Sequence, residues 1–146
     1  MTLAEKSKEL ANLARIGKLK AETGTPSEIK GLLTSGTERL ADARNGSLAL
    51  SSRFDLAYNA AHSFSLAALR WHGYRSDNRY LVFQALPHTL GLPASVWRVL
   101  AKAHEIRNVA EYEGHFDADA NLLQSLIEAT ELVRAAAVVL PLLPEN

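Results

Sequence analysis

The chain of 146 residues contains no cysteine. That excludes a disulfide framework, thiolate-held zinc, iron–sulfur clusters and a cysteine nucleophile. No run of about eighteen apolar residues occurs, so no membrane-spanning helix is expected. Met1-Thr2-Leu3-Ala4-Glu5 has neither the basic start nor the apolar stretch of a secretory signal, and the expected location is cytoplasmic. The P-loop, the Gly-rich dinucleotide turn, His-Glu-x-x-His and Gly-x-Ser-x-Gly are all missing. So are the Glu-x-x-His pairs of a di-iron bundle. No metal and no other cofactor is expected.

Net charge is also absent, but its parts are unevenly placed. Sixteen basic residues balance sixteen acidic ones. Residues 1–50 carry eight basic and six acidic side chains, residues 51–110 seven and three, and residues 111–146 one and seven. The net values are therefore +2, +4 and −6. Such a dipolar chain can meet an anion with its middle, or a copy of itself head to tail. Apolar residues at 47% suit a folded core, and the length suits one domain over residues 1–146.

Strand signals are missing as well, since no short run alternates apolar and polar residues with β-branched enrichment. The expected fold is all-α: an antiparallel up-and-down bundle of four to five main helices plus a short helix. The helices are expected at about 2–20, 26–44, 51–72, 79–89, 93–112 and 117–140. Thr2 with Glu5, and Thr25-Pro26-Ser27-Glu28, have capping-box spacing. Asn45-Gly46, Gly73, Gly91 and Gly114 mark stops. Phe54, Ala57, Ala61, Phe64, Ala68 and Trp71 form the clearest inward stripe, and its alanines admit a close neighbour. A bend is expected near Pro87, and Asp117 or Asp119 can cap the last helix.

Two stretches could carry chemistry. In residues 104–115, His104, Arg107 and Glu111 share a helix face, with Asn108 and Tyr112 as a second i,i+4 pair beside it. On the structural reading, Arg107 and Glu111 are a surface ion pair with His104 a solvated neighbour. Residues 70–80 mix Arg70, His72, Arg75 and Arg79 with Trp71, Tyr74 and Tyr80. Cations beside stacking surfaces suit single-stranded nucleic acid, which makes Arg70, Arg75, Arg79 and Tyr74 candidate RNA contacts. The same stretch also reads as a polar turn with Trp71 in the core. His62 and His88 have no evident partner in the sequence, and His62 reads as a packed side chain.

Ser52-Arg53-Phe54-Asp55-Leu56-Ala57-Tyr58-Asn59-Ala60-Ala61-His62 and Arg107-Asn108-Val109-Ala110-Glu111-Tyr112 resemble two segments of the HEPN-domain family of prokaryotic defence and toxin–antitoxin systems. The first is similar to the family's small-residue helix with an Ala-Tyr pair. The second is similar to its Arg-polar-x-x-x-His segment, in a subgroup reading Arg-x-x-Ala-acid-Tyr. The resemblance spans about residues 50–140. It implies a metal-independent endoribonuclease acting as a homodimer, with arginines and histidines of two copies in one cleft. Such chemistry needs a proton acceptor near neutral pH and a fixed cation for the phosphate. The chain departs from the pattern at Tyr112, which stands where the family has its histidine. With a reference pKa of about 10, tyrosine is a poor base at neutral pH. His104, three residues before Arg107, or His115, eight after it, could stand in. Some family members have a tyrosine modified by a partner nucleotidyltransferase, which makes Tyr112 a candidate for that role.

Two functions remain open at this level. One is an RNA-directed protein with Arg107, Asn108, Tyr112, His104 and His115 at its site. The other is a non-catalytic helical module that binds a nucleotidyltransferase, an antitoxin or another protein.

Overall fold

The computed structural model describes residues 8–114 and 119–144. It is all-α apart from one pair of two-residue strands. The order is α1 (Lys8–Arg15), β1 (Lys20–Ala21), α2 (Pro26–Ala43), α3 (Leu50–Trp71), β2 (Tyr74–Arg75), α4 (Arg79–Gln84), α5 (Leu86–Thr89), α6 (Ala94–Glu113) and α7 (Ala120–Val138). No helix among the described residues is long and apolar enough to cross a membrane.

Helix starts follow the side-chain caps. The Thr25 hydroxyl accepts from the Glu28 amide, Asn78 from Leu81 and Asp119 from Leu122. Each satisfies a donor that the first turn leaves without a partner. Gly114 ends α6 in the left-handed region, at φ 74°. Asp117, the other expected cap for the last helix, lies outside the described residues, as do the Thr2–Glu5 box and His115.

The long α3 is the centre of the bundle. It packs most extensively on α2 and α7, while α6 covers it together with α4. Phe54, Ala57, Ala61, Phe64 and Ala68 of the expected stripe are fully buried. Gly36 shows how close α2 comes: a Cβ there would lie 2.7 Å from Cε1 of Phe64. Leu86, Leu100, Leu126 and Val133 complete the main core. On α6 the inward line runs through Val96, Leu100 and Ala103; Val99 and Ile106 border it.

The first expected helix is shorter than its pattern suggested. It stops at Arg15, and Gly17 turns the chain at φ 81°. Leu19 then enters a second, smaller core with Leu10, Leu69, Val82 and Ala85. The extended segment that follows pairs antiparallel with β2, Lys20 opposite Arg75 and Ala21 opposite Tyr74. The expectation of no strands is corrected accordingly; two residues per strand are too few to show alternation. The expected helix at 79–89 is divided at Ala85, two residues ahead of Pro87. Proline has no amide hydrogen to continue the ladder, so the second piece begins anew.

Candidate functional site

Tyr58 is the hub of a polar cluster between α3, α4 and α6. Its ring is fully buried and meets Phe83 edge-on at 5.9 Å. Its hydroxyl lies 2.8 Å from Nδ1 of His104, whose ring stacks on it at 6.0 Å. Two guanidiniums approach the same ring, Arg107 at 4.9 Å and Arg79 at 5.4 Å from the centroid. A tyrosine face attracts cations, by about 0.5–2 kcal/mol depending on desolvation.

Hydrogen bonds fix both cations around that ring. Arg107 Nε donates to Asp55 Oδ1 at 3.0 Å, and its Nη1 lies 3.3 Å from Glu111 Oε1. Asn59 Nδ2 donates to Asp55 Oδ2 at 3.2 Å, while Asn59 Oδ1 accepts from Arg79 Nη1 at 3.0 Å. One chain of contacts therefore runs Glu111, Arg107, Asp55, Asn59, Arg79. Helical periodicity makes this possible. Residues 55, 58, 59 and 62 of α3 share one face, and residues 104, 107, 108 and 111 of α6 share another.

His104 is held at both ring nitrogens. Asn108 Nδ2 donates to Nε2 at 3.1 Å, so the neutral ring carries its proton on Nδ1 and donates it to the Tyr58 oxygen. Burial lowers the pKa of His104, and the charges of Arg79 and Arg107 add to that; Glu111 opposes it. The imidazole is thereby kept neutral. Burial works against the charge on Arg107, but the hydrogen bond and charge of Asp55, with Tyr58 and Glu111, outweigh it and raise its pKa. His62 lies on the same α3 face, edge-on to Phe83, and is pushed down to about 4 by burial, then by Arg79 and His104.

An open cleft of about 700 Å³ borders the cluster, with His104 and Asn108 in its wall beside Tyr80, Trp97, Lys102 and Val109. Tyr112 also lines it, 92% exposed, so its phenol stands in solvent at the rim. The structure thus brings His104, Arg107 and Asn108 together and leaves Tyr112 apart from the hub. The expected Arg107–Glu111 ion pair is present too, but it is one edge of a larger network.

The second expected cluster separates. Arg70 has a side chain only 6% exposed. Its Nε donates to Glu28 Oε1 at 2.6 Å, Nη1 to the carbonyls of Glu22 and Tyr74, and Nη2 to the Thr23 carbonyl. Its expected place as an RNA contact is corrected: the guanidinium is a buried clamp without free donors for a phosphate. Tyr74 is half-buried against the smaller core. Arg75 is exposed and bonds Glu22 at 3.3 Å. Arg79 joins the Tyr58 hub instead. Trp71 donates Nε1–H to the Pro141 carbonyl at 2.7 Å, and His72 bonds the Thr89 carbonyl at 2.8 Å.

Tyr58, Asp55 and Asn59 fall in the segment that carries the resemblance, but the sequence does not single them out as site residues. The available signal is polar side chains at i, i+3 and i+4 within a helix whose other positions are small or apolar. No group of three potential metal ligands converges among the described residues. No protein-family model, curated protein or solved structure significantly matches the chain.

Proposed function

We propose that the protein is a HEPN-type helical protein that acts on RNA at the Tyr58 hub, as a homodimer. The observation that carries this reading is the convergence of Arg79, Arg107 and a neutral His104 on one buried tyrosine beside an open cleft. Cleavage of RNA by its own 2′-hydroxyl requires an acceptor for that proton. His104 suits this role. A ligand that draws the Asn108 amide to itself releases the Nε2 lone pair, while Tyr58 keeps the ring oriented through Nδ1. As the 2′-oxygen bonds to phosphorus its proton moves to Nε2, the P–O5′ bond breaks and the 5′-oxygen leaves with a proton returned from the imidazolium, while Arg107 stabilises charge developing on the phosphate. Depression of the His104 pKa keeps the ring unprotonated and so ready to accept, and makes the imidazolium a stronger acid for the return step.

The charge order along the cleft face of α6 supports the homodimer. Arg98 and Lys102 lie towards its start, Glu105 and Glu113 towards its end. Two such helices crossing antiparallel about a twofold axis place basic halves against acidic halves. His104 and Asn108 of each copy then line a common groove, rimmed by both copies of Tyr112.

One observation favours the non-catalytic reading, in which the same face binds a nucleotidyltransferase or antitoxin. Arg107 already bonds two carboxylates, Asp55 and Glu111, which offset its charge. The deciding experiment is RNA decay in EDTA with purified protein. Cleavage is expected, falling at least about 100-fold in Arg107→Ala and in His104→Ala. Intact RNA at high protein concentration, or full activity in Arg107→Ala, overturns the catalytic reading. Sedimentation at micromolar concentration should give a dimer.

A further inference from the structure

A cleft of about 680 Å³ opens between α2, the end of α7 and the segment that follows α7. Its volume falls within the range of small-ligand sites, about 300–1,000 Å³. Ile29 and Leu33 of α2 line one side, Leu140 and Leu143 the other, and Trp71 joins them from the end of α3. Ser27, Lys30 and Thr34 line it too, at i, i+3 and i+7, which is one stripe along α2. We propose that this cleft binds a linear aliphatic carboxylate of about eight to ten carbons, with its chain between α2 and the segment after α7 and its carboxylate on Lys30.

Charge complementarity selects the head group. Among the described residues that line the cleft, Lys30 alone is charged. Its helix neighbours at three and four residues are Pro26, Ser27, Leu33 and Thr34, so no carboxylate on α2 is placed to neutralise it. It makes no ion pair among the described residues. An ammonium so placed beside apolar walls suits one negative charge at the end of an apolar body. A phosphate dianion finds no second cation in the lining, which favours a carboxylate. The Ser27 hydroxyl, one turn before Lys30, can donate to the same group.

The remaining walls select the chain. Val138 is 44% exposed and Leu142 93%, so both leave apolar surface in water that a bound chain covers. At about 1.5 Å per residue, Pro26 and Leu33 stand about 10 Å apart along α2. An extended chain spans that distance with about eight or nine bonded atoms. The segment that closes the cleft is anchored from below: Trp71 donates Nε1–H to the Pro141 carbonyl at 2.7 Å, and the Leu140 amide bonds the Ala137 carbonyl at 3.2 Å. The wall therefore does not have to order on binding.

The test is an NMR titration of the full chain with sodium decanoate, following the Trp71 indole N–H signal. Hexanoate and decyltrimethylammonium are separate arms. Decanoate should give a saturable shift. Hexanoate should bind at least about tenfold more weakly, because it buries fewer methylenes. Decyltrimethylammonium has the same chain with the opposite charge, and should also bind at least about tenfold more weakly. Lys30→Gln should weaken decanoate at least about fivefold, and Leu142→Ser about threefold. Leu132→Ser, at an exposed leucine of α7 outside the cleft, should bind as the wild type does. Arg107→Ala should do the same, so the result stands or falls apart from RNA cleavage. Phosphatidylglycerol vesicles should carry down no protein on sedimentation; recovery with them would make the patch a lipid surface and overturn the proposal. It is overturned equally by no saturation with decanoate up to about 10 mM, by equal affinity for decyltrimethylammonium, or by unchanged affinity in both Lys30→Gln and Leu142→Ser.

Discussion

Arg70 and Arg107 look alike in the sequence: each is an arginine near the end of a long helix, with histidine and tyrosine close by. Their surroundings differ in one respect. Arg70 is enclosed by Glu28, Glu22 and three backbone carbonyls, and almost none of it reaches water. Arg107 lies over an aromatic face, bonded on its outer side by two carboxylates that are themselves more than half exposed. The first is a clamp that closes the structure. The second belongs to a polar surface beside an open cleft. Cations interleaved with aromatic residues therefore do not by themselves mark a binding face; what decides is whether the fold saturates the guanidinium from inside.

The largest expected effect tests that contrast directly. Arg70→Ala leaves carbonyls and Glu28 without their partner and should cost about 3–5 kcal/mol. Arg107→Ala should cost below about 1 kcal/mol, because its ion pairs are solvated. Urea midpoints of the two variants measure the difference. Equal losses would erase the distinction between clamp and site.

The open region should also carry a pH dependence. His62 has its pKa depressed to about 4 in the fold, against an unfolded value of about 6.5. Between those values the unfolded chain binds the proton more readily than the folded one. Stability is thus fully present above about pH 6.5 and lost as pH falls towards about 4, by up to about 3 kcal/mol. His104 acts in the same direction. His62→Gln should flatten the profile of urea midpoints from pH 7 to pH 4.5; an unchanged slope would remove His62 as its source.

A smaller effect sharpens the clamp side. A Cβ at Gly24 would lie 2.7 Å from the Arg70 carbonyl oxygen, a backbone atom that cannot move aside. Gly24→Ala should cost about 1–3 kcal/mol. Gly31, on the outside of α2, has nothing within 4 Å of its built Cβ, so Gly31→Ala should gain about 0.5–1 kcal/mol through helix propensity. Thermal or urea unfolding of the pair gives opposite signs if close approach at the clamp is the cause.

The helical architecture is legible in the sequence because its signals are local and repeated. The Phe54–Ala68 stripe, Thr25-Pro26 and Gly114 each act within one or two turns. The β1–β2 pair is not legible, since Lys20 meets Arg75 across the fold and neither segment has a period. The site is half legible. His104, Arg107 and Asn108 share a face of one helix, and a periodicity argument reaches them. Their partners Asp55, Tyr58 and Asn59 sit some fifty residues away, on the helix that stands out for its alanines. Arg79 groups with Arg70 and Arg75 by adjacency, yet one helical turn points it to the Tyr58 ring. Burial of Arg70 depends on carbonyls presented by a distant loop, which no neighbouring residue announces.

The smallest expected effect on stability bears most on function. Tyr58→Phe keeps the buried ring, its edge contact with Phe83 and the faces that the two guanidiniums cover; it removes one oxygen. Loss of a single hydrogen bond to His104 should cost about 1 kcal/mol. If Tyr58 only fills space, the His104 ring signals should barely move and any RNA cleavage should fall little. If the hydroxyl positions the imidazole, the Nδ1 proton loses its acceptor while Asn108 still holds Nε2 as acceptor, so the tautomer stays and the Nδ1 ¹⁵N and proton shifts should move. Cleavage should then fall at least about tenfold in kcat with KM little changed, since the phosphate contacts remain. Asn108→Ala gives the complementary case: it frees Nε2 and leaves Nδ1 beside a hydroxyl that can donate or accept, so the tautomer is released and the ring ¹⁵N shifts should move towards exchange of the two nitrogens. A hydroxyl that changes the histidine without changing the fold is what separates a built site from a packed aromatic cluster.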